Sequence, residues 1–129
     1  MLPDLEALLA GYALYAKRNG FAPDRDEARL ADALYEAKAL ALGCEKDEPA
    51  ALFFALARRP RVFGRAHGRM TLHLTIEHAG ALGFTLTTDV AVLELMRARI
   101  LRDAIEFEEL RRWFAAHLAP IERKPWPSR

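Results

Sequence analysis

Apolar residues recur three and four positions apart along most of the chain, which is the spacing of one face of an α-helix. This pattern predicts an all-α fold, a compact bundle of about six helices. The first helix ends near Asn19 and Gly20, a pair typical of a helix end. The second helix runs from a cap at Asp24 or Asp26 to Gly43, the third from Pro49 to about Pro60, and the fourth from about Arg69 to Gly83. The fifth helix covers 89–101 and the sixth about 106–118.

The segments between these helices have the composition of breaks. LGCEKDE is polar, and GFTLTT predicts a short extended link whose Thr88 or Asp89 caps the fifth helix. The end of the chain, IERKPWPSR, contains two prolines and shows no periodicity. The sequence therefore predicts one helical domain over residues 1–119 and an irregular tail over 120–129, frayed or docked only through Trp126.

Composition adds limits on the class of protein. With 129 residues and 52% hydrophobic content, the chain can bury a sizeable core. Cys44 is the only cysteine, so an internal disulfide is excluded and a reducing compartment, the cytoplasm, is expected. The longest apolar run, AALFFALA at 50–57, is far shorter than the roughly 18 to 20 residues of a membrane span, so no membrane is expected.

Positive charge is concentrated in one stretch, although the net charge is only +1. Residues 58–73 carry five arginines and no acidic residue, whereas 1–57 carries ten acidic and six basic residues. The centre of the stretch, RVFGRAHGRM at 61–70, is a glycine-containing loop before a helix. Backbone amides and the helix dipole at such a position attract anions. The alternative is a solvated arginine surface.

Four features follow one another along the chain: LARRPRVFGRAHGRMTL, a helix, ALGFTL and FEELRRWFAAHL. This order resembles the Fic/Doc (Fido) family, its small toxin-like Doc branch most closely. RDEARLADAL is similar to the family segment Arg-Asp-x-x-x-Leu-x-x-Ala-Leu, and EELRRWF to its Glu-Glu-Leu-x-x-Trp-Leu ending. The resemblance covers nearly the whole chain. It places the family signature, His-x-Phe-x-Asp/Glu-Gly/Ala-Asn-Gly/Lys-Arg, on residues 61–69. Four of these residues match it: Phe63 at the buried aromatic, Ala66 at the small residue, Gly68 at the Gly/Lys position and Arg69 at the closing arginine.

Three chemical positions of the signature differ. Arg61 stands where the family has its general-base histidine, Arg65 where it has the acid that holds a metal, and His67 where it has asparagine. The resemblance implies transfer of AMP or phosphate from a nucleotide to a hydroxyl of a target protein, often a translation factor. Arginine stays protonated and cannot act as that base, and its cation cannot bind magnesium. The familiar mechanism is therefore predicted to fail, with magnesium not expected.

The leading hypothesis is a Doc-like domain with a degenerate motif, catalytically inactive or nearly so. It binds an anion or a nucleotide phosphate on the loop and acts through a protein partner or an antitoxin. The runner-up is a diverged toxin-like transferase that moves phosphate or AMP, and the third is a nucleic-acid-binding module, ranked last because no recognition-helix arrangement is present. The predicted anion-binding residues are Arg61, Gly64, Arg65, Ala66, His67, Gly68 and Arg69.

A few other residues have competing interpretations. His67 is the remaining candidate base, and the alternative is a loop histidine that contacts solvent or an anion. His73, Glu77 and His78 could bind a metal only if their side chains converged. His73 and Glu77 lie on one helix face and His78 does not, so a surface ion pair is favoured over a metal site. LGCEKDE makes the connection that serves as a flap in the family look short. Helical spacing predicts a core role, not base stacking, for the aromatic residues Phe53, Phe54, Trp113 and Phe114.

Overall fold

The computed structural model describes residues 1–121, and the prediction of a mostly helical bundle is confirmed. Two short 3₁₀ turns, Glu45–Asp47 and Gly64–Ala66, precede the third and fourth helices. Two three-residue strands, β1 (Phe84–Leu86) and β2 (Leu118–Pro120), pair antiparallel. The α-helices are α1 (Leu5–Asn19), α2 (Glu27–Ala41), α3 (Glu48–Ala57), α4 (His67–Ala81), α5 (Val90–Leu101) and α6 (Phe107–His117).

Aspartate side chains define three of the helix starts. Asp4 accepts from the Ala7 amide at 2.8 Å, Asp26 caps α2 and Asp89 caps α5. Asp26 and Asp89 are thus the caps among the predicted alternatives. These bonds satisfy amide groups that a helix start leaves without an internal partner. α4 begins at His67, two residues before the predicted Arg69, because the 3₁₀ turn continues directly into it.

α3 forms the centre of the molecule, and all ten of its residues are buried. Pro49 lies in its first turn, as predicted, and α2, α4, α5 and α6 all pack against it. Leu52 and Leu56 belong to an apolar cluster shared with α1 and α2, whereas Phe53 and Phe54 belong to a second cluster shared with α5 and α6. One helix therefore joins both halves of the core.

The aromatic residues and the chain end show where prediction and structure agree and differ. Phe53, Phe54 and Phe114 are buried as predicted, and Trp113 is half-buried. GFTLTT is extended as predicted. α6 ends at His117, one residue before the predicted end, and Leu118–Pro120 is a strand that includes Pro120, the first residue of the predicted irregular tail. Trp126 lies outside the described residues. Within residues 1–121, no helix has the length and apolar character needed to cross a membrane.

Candidate anion-binding site

The turn between α3 and α4 is tight because it contains two left-handed residues. Arg61 has φ +71° and Gly64 has φ +57°. Val62 and Phe63 lie between them and are fully buried, so they anchor the turn in the core. Left-handed backbone is uncommon for residues other than glycine, and Arg61 adopts it here with its side chain exposed. The turn therefore places Arg61 and the arginines that follow on the outside.

Tyr12 of α1 holds this turn against the loop that precedes α2. Its hydroxyl lies 2.5 Å from the carbonyl oxygen of Asp24 and 3.2 Å from that of Phe63, so its one hydrogen is donated mainly to Asp24, with Phe63 as the weaker second acceptor. The two loops come so close that a Cβ atom on Gly64 would lie 2.9 Å from Cβ of Asp24. Glycine is required at residue 64 both for its φ angle and for this approach.

Two arginines from other helices reach the same turn. Arg29 of α2 donates from Nη1 to the carbonyl of Pro60 at 3.2 Å. Arg97 of α5 packs on the first turn of α4, where a Cβ on Gly68 would lie 3.3 Å from Arg97 Nη2. Glu94 accepts from Arg97 Nε and Nη2 at 3.3 and 3.0 Å and so fixes its guanidinium. The structure thus adds Arg29 and Arg97 to the residues that the sequence indicated.

The five arginines of the 58–73 stretch divide into two groups. Arg58 and Arg59 each lie 2.7 Å from the carboxylate of Glu36, so this one carboxylate offsets part of their combined charge. The other three are exposed, and across residues 1–121 none has a carboxylate oxygen within 4.0 Å. They are Arg61, Arg65 and Arg69. Arg69 packs over Phe21, with its guanidinium carbon 5.3 Å from the ring centroid.

His67 is buried, not on the loop surface. Its side chain is the first of α4, and the residue is 5% exposed. Nε2 donates to the carbonyl of Leu56 at 2.8 Å, and Nδ1 is buried with no partner within the described chain. Burial lowers the pKa of His67 below its usual value, and the charges of Arg97 and Arg29 add to this effect. The prediction of a loop histidine in contact with solvent or an anion is wrong, and the neutral ring faces no open site as a base.

The backbone amides of the turn are also less available than the sequence suggested. The Gly64 amide donates to Arg61 O at 3.0 Å, the Ala66 amide to Phe63 O at 3.1 Å, and the His67 amide to Gly64 O. Ala66 itself is buried. The burial of Ala66 and His67 and the pairing of their amides give no support to a direct role in an anion site, and that role stays a prediction. What the turn offers a guest is mainly guanidinium groups.

The remaining polar candidates form pairs. His73 and Glu77 make an exposed contact of 2.9 Å, which confirms the predicted surface pair. His78 points elsewhere, and its Nε2 lies 2.8 Å from Oε1 of the buried Glu48 in α3. Among the residues that the structure describes, no three histidine, cysteine or carboxylate side chains cluster as a metal site would require. Glu48 and His78 were not paired by the sequence, because they lie 30 residues apart.

Comparison with known proteins gives no relative. No family model, no curated protein and no solved structure matches this chain. The resemblance to the Fic/Doc family therefore stays a prediction that depends on the motifs in 61–69 and on the flanking segments.

Proposed function

We propose that this protein is a binding module without catalytic activity, which holds a phosphate-bearing anion over the turn at 61–69. The observation that carries the proposal is the set of three exposed arginines, Arg61, Arg65 and Arg69, with no carboxylate near them in residues 1–121. Like charges on one turn repel, so an anion that lies between them gains energy from each.

The surroundings of the turn support phosphate over other anions. No described side chain caps the start of α4, and no acidic residue lies in its first turn, so the positive end of the helix dipole is not compensated there. A guanidinium group presents two parallel N–H donors that match phosphate oxygens. Arg97 also lies against Gly68 at this helix start, but Glu94 pairs with its guanidinium, so the uncompensated charge of the site comes from the three exposed arginines.

Catalysis by the mechanism of the Fic/Doc family lacks a base. Arg61 and Arg65 remain protonated, and His67 is buried. Phosphoryl transfer needs a group that accepts or orients the hydroxyl of the acceptor. On the resemblance, the ligand is a nucleotide phosphate, and the protein acts through a protein partner or an antitoxin in the cytoplasm, where the exposed Cys44 thiol would stay reduced.

Calorimetric titration with inorganic phosphate, AMP and ATP at low salt tests the proposal. We expect Arg65→Ala and Arg69→Ala each to weaken binding about tenfold or more, since a charge-assisted hydrogen bond contributes about 1.5 to 3 kcal/mol. Arg112→Ala is the matched control, because Arg112 is exposed on α6 and has no carboxylate oxygen within 4.0 Å in residues 1–121. Absence of heat at millimolar ligand would contradict the proposal.

Two other outcomes would replace it. A labelled protein band after incubation with labelled ATP and cell extract would favour the diverged transferase. A low-salt gel shift with RNA or DNA, together with an affinity that falls steeply as salt rises, would favour a nucleic-acid-binding module, because the salt dependence reports the number of phosphates neutralised.

A further inference from the structure

Aromatic side chains lie beside the turn at 61–69, next to Arg69. Phe21 and Tyr15 are half-buried, and their ring centroids are 6.0 Å apart in an edge-to-face contact. Tyr15 also packs on His73 of α4 at 4.7 Å, and His73 follows Arg69 by one turn on the same helix face. We call Phe21, Tyr15 and His73 the aromatic ledge. It joins α1, the loop after α1 and α4 at the edge of the arginine cluster.

The end of α1 fixes the position of Phe21. Gly20 has φ +71°, and the Phe21 amide donates to the carbonyl of Ala16 at 3.1 Å. This bond around a left-handed glycine is that of a Schellman motif, in which the residue after the glycine commonly packs against the last turn of the helix. The contact of Phe21 with Tyr15 is of this kind, and Phe21 also packs on the buried Tyr12 at 6.3 Å. The ring of Phe21 is therefore in place before any ligand binds.

Arg69 lies over this fixed ring, with its guanidinium carbon 5.3 Å from the ring centroid of Phe21. A guanidinium group is planar and has two faces and an edge of N–H donors. Phe21 covers one face. Because Arg69 is exposed and has no carboxylate oxygen within 4.0 Å in residues 1–121, its second face and its edge are available to a guest.

The two free parts of this guanidinium select different chemical groups. Aromatic rings stack on the face of an arginine, and phosphate oxygens accept from its edge. Arg65 adds a second guanidinium, since it precedes Arg69 by four residues in the 3₁₀ turn that continues into α4. A ligand that uses both the face and the edge of Arg69 must carry its ring close to its phosphate. In an aryl phosphate a single oxygen joins the two, whereas a ribose separates them in a nucleotide.

We propose that the turn at 61–69 binds aryl phosphates, esters in which the phosphate is bonded directly to an aromatic ring, as in the side chain of phosphotyrosine. Arg65 and the edge of Arg69 bind the phosphate. The ring stacks on the outer face of Arg69, which Phe21 holds in position. This assignment rests on the proposed function and narrows its ligand to an ester other than the nucleotide that the resemblance implies.

Calorimetric titration with phenyl phosphate, cyclohexyl phosphate and methyl phosphate tests the proposal. At pH 8, well above the second phosphate pKa of about 6, all three are dianions. We expect phenyl phosphate to bind about tenfold more tightly than methyl phosphate and about fivefold more tightly than cyclohexyl phosphate, whose ring has no π face. Equal affinities would overturn the aryl phosphate assignment and leave the proposed function standing. Absence of heat with all three would contradict both.

Two further titrations identify the source of the aryl phosphate. N-acetyl-phosphotyrosine amide that binds as tightly as phenyl phosphate would assign the site to a phosphotyrosine residue of a partner protein. Binding about tenfold weaker than that of phenyl phosphate would assign it to a small aryl phosphate, because the peptide groups would then be excluded. AMP that binds more tightly than phenyl phosphate would overturn the proposal in favour of a nucleotide base.

The ratio of phenyl phosphate affinity to methyl phosphate affinity assigns the residues. Phe21→Leu removes the ring that holds Arg69, and Arg69→Lys removes the planar face but keeps the charge. We expect each substitution to lower the ratio from about ten to about two, with a much smaller change in methyl phosphate affinity. A ratio that stays at about ten in Arg69→Lys would overturn the stacking, whether or not Phe21→Leu folds.

Two variants serve as controls for this ratio. Arg65→Lys should weaken both probes and leave the ratio unchanged, because Arg65 binds the phosphate that the probes share. Phe84→Leu is matched to Phe21→Leu, since Phe84 of β1 also lies beside a cation, with Lys46 Nζ 5.8 Å from its ring centroid, but beyond the far end of α4. It should change neither affinity. A ratio that falls equally in Phe84→Leu and Phe21→Leu would contradict a specific role of Phe21.

Discussion

At the scale of single residues, His67 links the charge state of the protein to its stability. Its ring lies among buried side chains, Nε2 donates to the carbonyl of Leu56 with the Thr71 hydroxyl 3.5 Å away, and Nδ1 has no partner among the described residues. A proton on Nδ1 would place a second donor, with a full charge, where no described group accepts it. Burial lowers the pKa of His67, the charges of Arg97 and Arg29 lower it further, and folding therefore excludes a proton that the unfolded chain binds.

The sign of the resulting pH dependence follows from that difference. Well above the usual histidine pKa of 6.5 neither state is protonated, so the contribution of a neutral His67 is fully present. As pH falls below 6.5, the unfolded chain gains a proton and the folded chain does not, so stability is lost at up to about 1.4 kcal/mol per pH unit until the folded pKa is reached. We expect His67→Gln, which can still donate to Leu56, to flatten the urea-unfolding free energy between pH 7 and pH 5.

His73→Gln is the control for this experiment, because His73 is on the surface and contacts Glu77. It should leave the acid-induced loss of stability close to that of the unsubstituted protein. An equal pH slope in the protein and in His67→Gln would show that His67 takes up its proton as readily folded as unfolded.

At the scale of elements, the turn from α3 to α4 depends on glycine at one position. We expect Gly64→Ala to destabilise the protein by about 1 to 2 kcal/mol from its positive φ alone, with more from the contact of the new Cβ with Asp24. The same substitution at Gly80, in α4 with open space around it, should stabilise by about 0.5 to 1 kcal/mol. Thermal unfolding of the two variants compares the effects. Equal shifts in Tm would contradict this view of the turn.

Helices were predictable at this scale because their signals are local. Apolar spacing and the capping residues Asp26 and Asp89 lie within one turn of the feature that they define. The strand pair was not predictable in the same way. β2 begins 32 residues after β1 ends and is only three residues long, so no local pattern distinguishes it from the end of α6.

The candidate site was predictable only in part for a related reason. The run of arginines is visible in the sequence, but the pairing of Arg58 and Arg59 with Glu36 joins residues on different helices. The approach of Arg97 to Gly68 is of the same kind. Burial of His67 depends on where α4 begins, and a difference of two residues from the predicted start turns the side chain from the loop into the core.

At the scale of the whole molecule, α3 makes the two apolar clusters one cooperative unit. Leu52 belongs to the cluster on the α1 and α2 side, while the neighbouring Phe53 packs on Phe114 of α6 with ring centroids 5.5 Å apart. A helix whose residues are all buried has no face on which one cluster could unfold while the other stays packed. A substitution that destabilises either cluster should therefore destabilise both.

Leu52→Ala tests this cooperativity. Leu52 is fully buried, so the substitution should cost about 2 to 5 kcal/mol. We expect amide hydrogen exchange in α6 to lose as much protection as exchange in α2, although Leu52 is in the cluster on the α2 side. Leu95→Ala, on the exposed surface of α5, should change neither. Protection that falls in α2 and stays in α6 would mean that the clusters unfold separately, with α3 as a boundary between them.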